Sequence, residues 1–316
     1  ETQFGIARQD LVLRVAEAYF NVLNAQDALA AVTQLRTAAG EQLELAKTSF
    51  EVGTVTITDV HEAQSRFDLA SAQEIAAQNL LEVARQTLAQ IIGKQPEALA
   101  GLREGVALQR PQPENIVDWV AAAESGGFGV QAQQLVREIA VREVERARAG
   151  HLPTVDVVAR HGVNNDLQLS AGRNEVSSVG LQLNVPLFAG GRVSSVSREA
   201  AALRMKADAD LEDARRSAAL AARQSWLGVT SGMAQVKALE AARVSSTSAL
   251  DANKLGYEVG VRINIDVLNA QTQLADTLQK LARARYDTLL AQLRLKAAAG
   301  TLGEDDVRAI NALLVP

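Results

Sequence analysis

The sequence contains no cysteine, few aromatic residues and no long hydrophobic run. Across 316 residues there are 0 Cys, 3% aromatic residues and only three histidines. The absence of cysteine excludes disulfides, thiolate metal sites and cysteine nucleophiles. His61, His151 and His161 are too far apart in sequence to suggest a His-rich metal site. No run of 18 apolar residues occurs, so the sequence predicts no transmembrane helix.

Positive charge is also scarce, which bears on the partner. Lys and Arg number 32 against 37 Asp and Glu, a net charge of -5. Without a basic field for phosphates or aromatics for stacking, we expect no nucleic-acid partner. No Ser-His-Asp, paired-carboxylate or metal spacing stands out, so we expect no enzyme, cofactor or metal. The glycine-rich stretch 126–129 follows no strand, which favours a connector over a phosphate loop.

Long helices dominate the parts of the sequence that are free of Pro and Gly. Their Ala, Leu, Gln and Glu content gives a strong helix propensity. The predicted helices are 6–50, 59–92, 114–124, 129–149 and 193–255. The last exceeds 60 residues, roughly 95 Å at the usual helical rise, which is typical of a rod.

Two segments, Leu152–Val163 and Val176–Leu187, alternate with a period of two. Val179, Leu181 and Leu183 fall on one face, and Ser178 and Gln182 on the other. This pattern predicts strands with one apolar and one polar face, joined by a polar loop over 164–175. Without any family resemblance, the residues favour a half-buried hairpin of a soluble protein.

The two halves of the chain repeat each other at an offset of 207 residues (Asp266 minus Asp59). The matched positions, without a gap, include Phe50/Tyr257, Gly53/Gly260, Ala63/Ala270, Gly93/Gly300 and, upstream, Tyr19/Trp226. A register kept over about 80 residues predicts two related units, each a long helix, a glycine-containing turn and a shorter return helix.

Several local motifs resemble those of the TolC family of outer-membrane channels. They are Ala18–Asn24 in the first long helix, Thr58-Asp59-Val60 at its turn, Gly150–Thr154 before the first strand and Pro186–Gly191 after the second. The likeness runs from about Ile6 to Leu313. The resemblance implies a mainly α fold with a β-hairpin, in which long antiparallel helices form a trimeric periplasmic α-barrel and the strands join an outer-membrane β-barrel.

The resemblance also implies a function. It is that of a passive exit duct for type I protein secretion, multidrug efflux or both, gated at its periplasmic end. The implied partners are two further copies of the chain, a periplasmic adaptor, an inner-membrane pump and outer-membrane lipid. The corresponding segments are helical hairpins at 1–93 and 190–300, an equatorial connector at 94–150, the β-hairpin at 151–189 and a C-terminal segment at 301–316.

Family subunits contribute four strands each, whereas this sequence contains one hairpin. A trimer of the chain as written offers six strands, too few to close a wide barrel. Glu1 is not an initiator Met and helical character begins at once, so we expect a processed or truncated polypeptide whose first hairpin lies before Glu1.

When the positions are matched one by one to the family's motifs, the resemblance places the gated entrance at the two helical turns. The implied entrance residues are Thr58, Asp59, Tyr257, Arg262, Asp266 and Asn269. Tyr257 and Arg262 belong to a polar network that keeps the entrance closed, and Asp266 faces the lumen. Asn269 stands at the family's second acidic position, so we expect a less charged ring. Alternatively, Asp59 and Asp266 are N-caps of their return helices.

The implied exit from the last strand is formed by Pro186, Gly190 and Gly191. Pro186 fits the end of a ladder because it has no N–H to donate. Two functions from other classes remain open at this point, a periplasmic coiled-coil adaptor or scaffold and a soluble enzyme. The cargo, protein or small molecule, is also left open.

Overall fold

The computed structural model describes residues 1–103, 105–166 and 172–315. The helices are α1 (Thr2–Glu51), α2 (Ile57–Ile92), α3 (Ile116–Gly126), α4 (Phe128–Ala149), α5 (Arg192–Glu258), α6 (Asn264–Ala298) and α7 (Glu304–Asn311). The strands are β1 (Thr154–Asp166) and β2 (Gly172–Asn184). The predicted helices are therefore confirmed with small changes at their ends, including the very long helix α5.

The chain forms two compact units, residues 1–129 with 216–316, and residues 130–215. In the first unit α1 packs along both α2 and α6. Small side chains allow this close approach, because Ala46 of α1 and Ala63 of α2 are fully buried beside Leu268 of α6. A larger apolar cluster lies toward the other ends of the helices, where Phe20 of α1 stacks on Tyr286 of α6.

The connector that follows α2 runs alongside the C-terminal stretch. Leu102 pairs with Leu314 in an isolated antiparallel bridge, and the Arg103 amide donates to the Leu313 carbonyl at 3.0 Å. The acidic first turn of α7, residues 304–306, caps its own helix, since the Asp306 carboxylate accepts from the Gly303 amide at 2.9 Å. Acidic side chains are favourable at this end of a helix dipole.

The second unit contains α4 from residue 130, the β-hairpin and the beginning of α5. Arg137 of α4 donates to Asp208 of α5 at 2.6 Å, and this hydrogen bond holds the pKa of Asp208 below its usual range. In the hairpin, β1 and β2 pair antiparallel with Val157 opposite Leu181 and Arg160 opposite Ser178. The pairing places the apolar residues on one face and the polar residues on the other, as predicted.

The predicted strand ends were partly wrong. The ladder begins at Thr154 and ends at Asn184, which leaves Leu152 and Leu187 outside, because Pro153 and Pro186 cannot donate a ladder hydrogen bond. Both ends of the predicted loop are strand, since β1 continues to Asp166 and β2 begins at Gly172. The rest of that loop, 167–171, lies outside the described residues. None of the helices in the described ranges is long and apolar enough to cross a membrane.

Candidate functional site

The first turn, between α1 and α2, ends in a complete side-chain cap at the start of α2. Its chain reverses at Gly53, which has a φ of 78° that favours glycine. Thr56 is the N-cap of α2 and forms a capping box with Asp59. The Asp59 carboxylate accepts from the Thr56 amide at 2.8 Å and from the Thr56 hydroxyl at 2.7 Å. The box pairs two helix-end amides that would otherwise lack partners.

The second turn, between α5 and α6, is built differently. It reverses at Gly260, with a φ of 79°, and the amides of Val261 and Arg262 both donate to the Gly256 carbonyl, at 2.8 and 3.0 Å. The N-cap of α6 is Ile263, which offers no side-chain acceptor. Arg262 instead lies 3.6 Å from the carboxylate of Asp266, in a half-exposed ion pair.

Buried amides without partners accompany the second turn. Asn264, the first residue of α6, is 3% exposed, and among the described residues neither its Nδ2 nor its Oδ1 has a hydrogen-bond partner. Gln271, two turns further along α6, likewise leaves its Oε1 unpaired in this part of the chain. An unpaired buried amide costs about 1–3 kcal/mol. Burial of these amides near the start of α6 therefore lowers the free energy of unfolding, and the start of α2 carries no such penalty.

A continuous stripe of polar side chains, exposed except for the partly buried Asp266, runs along α6 from this turn. Its members recur every three or four residues and are Asp266, Asn269, Gln273, Asp276, Lys280, Arg283 and Asp287. They span about 32 Å at the helical rise. Arg66 of α2 joins this polar stripe, because its Nη2 donates to the Asn269 Oδ1 at 3.0 Å.

The corresponding part of α2 exposes an apolar stripe instead. It consists of Leu69, Ala72, Ala76, Leu80 and Val83, again at spacings of three and four. Leu69 is 53% exposed and Leu80 65%. At the offset of the repeat, Leu69 and Leu80 correspond to Asp276 and Asp287 of the polar stripe. The two return helices therefore share a fold and differ in what their exposed sides present to the surroundings.

The structure brings some of the predicted entrance residues together and leaves others apart. Arg262 contacts Asp266, whereas the hydroxyl of Tyr257, which lies in the last turn of α5, makes no hydrogen bond in the described part of the chain. Thr58 is exposed in the first turn of α2. The N-cap assignment of Asp59 and Asp266 is wrong, because both stand three residues after the actual caps. Asp59 still serves α2, as the second half of the capping box.

The predicted strand exit lies in the other unit. Pro186 follows the last residue of β2 by two positions, and Gly190 and Gly191 adopt φ values of 57° and 78° just before α5 begins. Two consecutive left-handed residues turn the chain sharply, and they require glycine. A glycine reversal therefore lies where the sequence expects the chain to leave the strand, and the role of these residues at the exit of a barrel strand stays a prediction.

Two contributors to the site were not predicted from the sequence. Arg66 gave no sequence signal, because its partner is 203 residues away. Asn264 could have been recognised as a departure from the repeat, which places Ile57 at the equivalent position. Away from the turns, in the apolar cluster around Phe20, Tyr286 of α6 donates to Asp27 of α1 at 2.6 Å, and burial together with that carboxylate raises the pKa of the Tyr286 phenol.

Comparisons with known proteins agree with this architecture. The profile of the family described as "Outer membrane efflux protein" matches residues 1–94 and 120–301. The chain is 36% identical over 317 residues to "Outer membrane protein TolC" of Vibrio cholerae, covering 99% of this chain and 72% of that protein. It is 33% identical over 319 residues to "Alkaline protease secretion protein AprF" of Pseudomonas aeruginosa, covering 100% of this chain and 66% of that protein.

The fold is also that of a solved outer membrane protein. The outer membrane protein VceC of Vibrio cholerae superposes with a TM-score of 0.79 at 20% identity, covering 95% of this chain and 72% of that one. The chain therefore spans about two thirds to three quarters of the length of these proteins.

Proposed function

The chain belongs to the outer membrane efflux protein family, and we propose that it forms a passive, trimeric export duct whose periplasmic entrance lies at the two helical turns. The energy for transport would come from an inner-membrane pump, linked to the duct by a periplasmic adaptor. The duct itself performs no catalysis in this proposal.

The contrast between the two stripes is the observation that carries the proposal. An exposed apolar stripe such as that of α2 gains stability when another surface covers it, at about 25 cal/mol per Å² of apolar area. A polar stripe such as that of α6 is best left in water. In a threefold ring, the α2 stripe of each subunit is covered by its neighbour while the α6 stripe faces the axis. Such a ring encloses a water-filled tunnel.

The β-hairpin supports insertion of one end of the duct into the outer membrane. On its apolar face Val179 is 80% exposed and Leu181 79%. This face suits lipid, and the opposite face, with Asp156, Arg160 and Gln182, suits a polar lumen. Backbone groups at the free edges of the pair would need further partner strands in the membrane, since two strands from each of three subunits are too few to close a wide barrel.

The turns themselves offer a surface for the adaptor. Val52 of the first turn is 71% exposed, and Val259 and Val261 of the second are 64% and 75% exposed. Small apolar side chains around two glycine reversals provide a shallow surface on which the tip of another helical hairpin can pack. The name of the Pseudomonas relative favours a protein cargo, and a wide polar tunnel also admits small molecules.

The trimer is tested by placing a charge on the apolar stripe. Leu80→Glu puts a carboxylate where the proposal buries a neighbour's surface, so we expect loss of the heat-resistant trimer band in outer-membrane fractions and loss of channels in planar bilayers. The matched control is Gln273→Glu, which adds the same charge to the polar stripe and should leave the trimer intact. A Leu80→Glu protein that still migrates as a heat-resistant trimer would contradict the proposed arrangement.

A further inference from the structure

A half-buried ion pair joins the two helices of the first hairpin. The Glu74 side chain of α2 is only 15% exposed, and its Oε2 lies 3.0 Å from Nε of Arg36 on α1. The Thr33 hydroxyl of α1 donates to the other oxygen of this carboxylate at 2.8 Å. The guanidinium is within ion-pair distance, although its Nε is not aligned for a hydrogen bond. Both oxygens of the charged group on the return helix α2 are therefore held by the long helix α1.

The second hairpin contains a corresponding pair with the opposite polarity. The Arg285 side chain of α6 is 16% exposed, and its Nη2 donates to Oε1 of Glu240 on α5 at 2.7 Å. The two pairs lie at the same level of their hairpins. Glu74 follows Gly53 by 21 residues (74 minus 53). Glu240 precedes Gly260 by 20 residues (260 minus 240). The return helix thus carries a mostly buried carboxylate in the first hairpin and a mostly buried guanidinium in the second.

The repeat shows what each charge would meet if α6 packed on α1 in the place of α2. At the offset of the repeat, the position of Glu74 is taken by Leu281 of α6, and the position of Glu240 by Thr33 of α1. The guanidinium of each helix would therefore lose its carboxylate. The two guanidiniums would also lie about one helical turn apart. A mostly buried charge that loses its partner is strongly destabilising.

The reverse exchange, with α2 packed on α5, is opposed less strongly. Arg243 of α5 corresponds to Arg36, so Glu74 would still find a cation. Glu240 corresponds to Thr33, so a second carboxylate would replace the hydroxyl that donates to Glu74. Like charges that face each other in an interface are unfavourable. Exchange of the return helices is therefore opposed on both sides, and most strongly at α1.

We infer that the opposite polarities of these two ion pairs determine which return helix each long helix accepts during folding. Such a signal is needed because both hairpins share one design and keep a glycine at the same turn position. Small side chains in the helix contacts, such as Ala46 and Ala63, distinguish little between two related helices. Mixed pairing is a characteristic folding error of repeated units, and opposite charge pairs disfavour it. The inference holds whether or not the chain forms a duct.

The test exchanges the two members of a pair, which changes neither the composition nor the net charge. Arg36→Glu with Glu74→Arg keeps an ion pair in the first hairpin but gives it the polarity of the second. Each full-length variant is refolded from urea into detergent, and the fraction that resists trypsin is measured. We expect this fraction to fall at least about twofold, because α1 can then accept Arg285 of α6. Glu240→Arg with Arg285→Glu should have the same effect.

The variant with all four changes separates pairing specificity from local damage. Its hairpins again have opposite polarities, so the trypsin-resistant fraction should return toward the unmodified value. Local damage at two independent sites would instead add, and this variant would recover least. The control is Glu17→Arg with Arg294→Glu, which exchanges an exposed pair between α1 and α6 at 3.4 Å and should leave the fraction unchanged. If either single exchange keeps the unmodified fraction, or the four-change variant recovers no more than they do, the inference is overturned.

Discussion

The two helical turns occupy equivalent places in the repeat. The helix that follows the first turn has a side-chain cap, and the helix that follows the second has none. In the first turn, Thr56 and Asp59 satisfy each other and the start of α2. In the second, Ile263 caps nothing, and Asn264 is buried without a described partner. Both turns keep their glycine, so the backbone reversal is the same. The difference lies mainly in the side chains around it, together with one further backbone hydrogen bond in the second turn, from the Arg262 amide to the Gly256 carbonyl.

This difference indicates that the two hairpins have different roles. A turn that carries a complete capping box loses hydrogen bonds when it rearranges. The second turn holds an ion pair at 3.6 Å and an unpaired amide. It therefore loses less interaction energy than the first turn when it adopts another conformation. Under the proposed function, the second hairpin is therefore the one that moves when the entrance opens, and the first hairpin supports it. Swapping features between the turns tests this interpretation.

The largest effect is expected from Gly256→Ala in the second turn. Gly256 is buried, and a Cβ built on it would lie 2.6 Å from Cγ of Arg262. The clash should displace Arg262 from Asp266, cost about 1–3 kcal/mol of unfolding free energy and raise single-channel conductance. Ser49→Ala, at the equivalent position of the first turn, adds no atom and serves as the control. Unchanged conductance in Gly256→Ala would argue against a gating role for Arg262.

A smaller change in unfolding free energy, of opposite sign, is expected from Asn264→Leu. The change replaces two unpaired polar atoms by apolar groups of similar volume, which should raise the unfolding free energy by about 1–2 kcal/mol. Urea denaturation followed by circular dichroism measures the shift. The reverse exchange in the first turn, Ile57→Asn, affects a residue that is 47% exposed and should be nearly neutral. A destabilised Asn264→Leu protein would instead reveal a partner for the amide in the assembly.

The smallest effect is expected from Thr56→Ala, which removes the capping box of α2. Loss of an N-cap costs about 1 kcal/mol, so amide exchange in the first turn of α2 should accelerate about fivefold. Ile263→Ala removes the equivalent residue of the second turn, which makes no side-chain cap, and should change the exchange at the start of α6 much less. Equal acceleration in both turns would contradict the contrast between them.

Much of the fold could be predicted from the sequence, because the evidence for it is local. The stretch 193–255 is rich in helix formers, and α5 is one helix over that range. The alternation around Leu181 predicted the two faces of the hairpin that the register confirms. The strand ends were less accurate, since they depend on Pro153 and Pro186 as well as on periodicity. The entrance roles of Thr58, Asp59, Tyr257, Arg262, Asp266 and Asn269 stay predictions.

The sequence by itself determined the helices, the glycine reversals and the repeat of one hairpin design, since propensity and periodicity act between near neighbours. Only the tertiary structure decided which polar groups find partners. Arg66 and Asn269 meet across 203 residues, and Asn264 is buried by packing that its own helix does not encode. Such contacts depend on how α1, α2 and α6 fit together in space, and no local pattern carries that information.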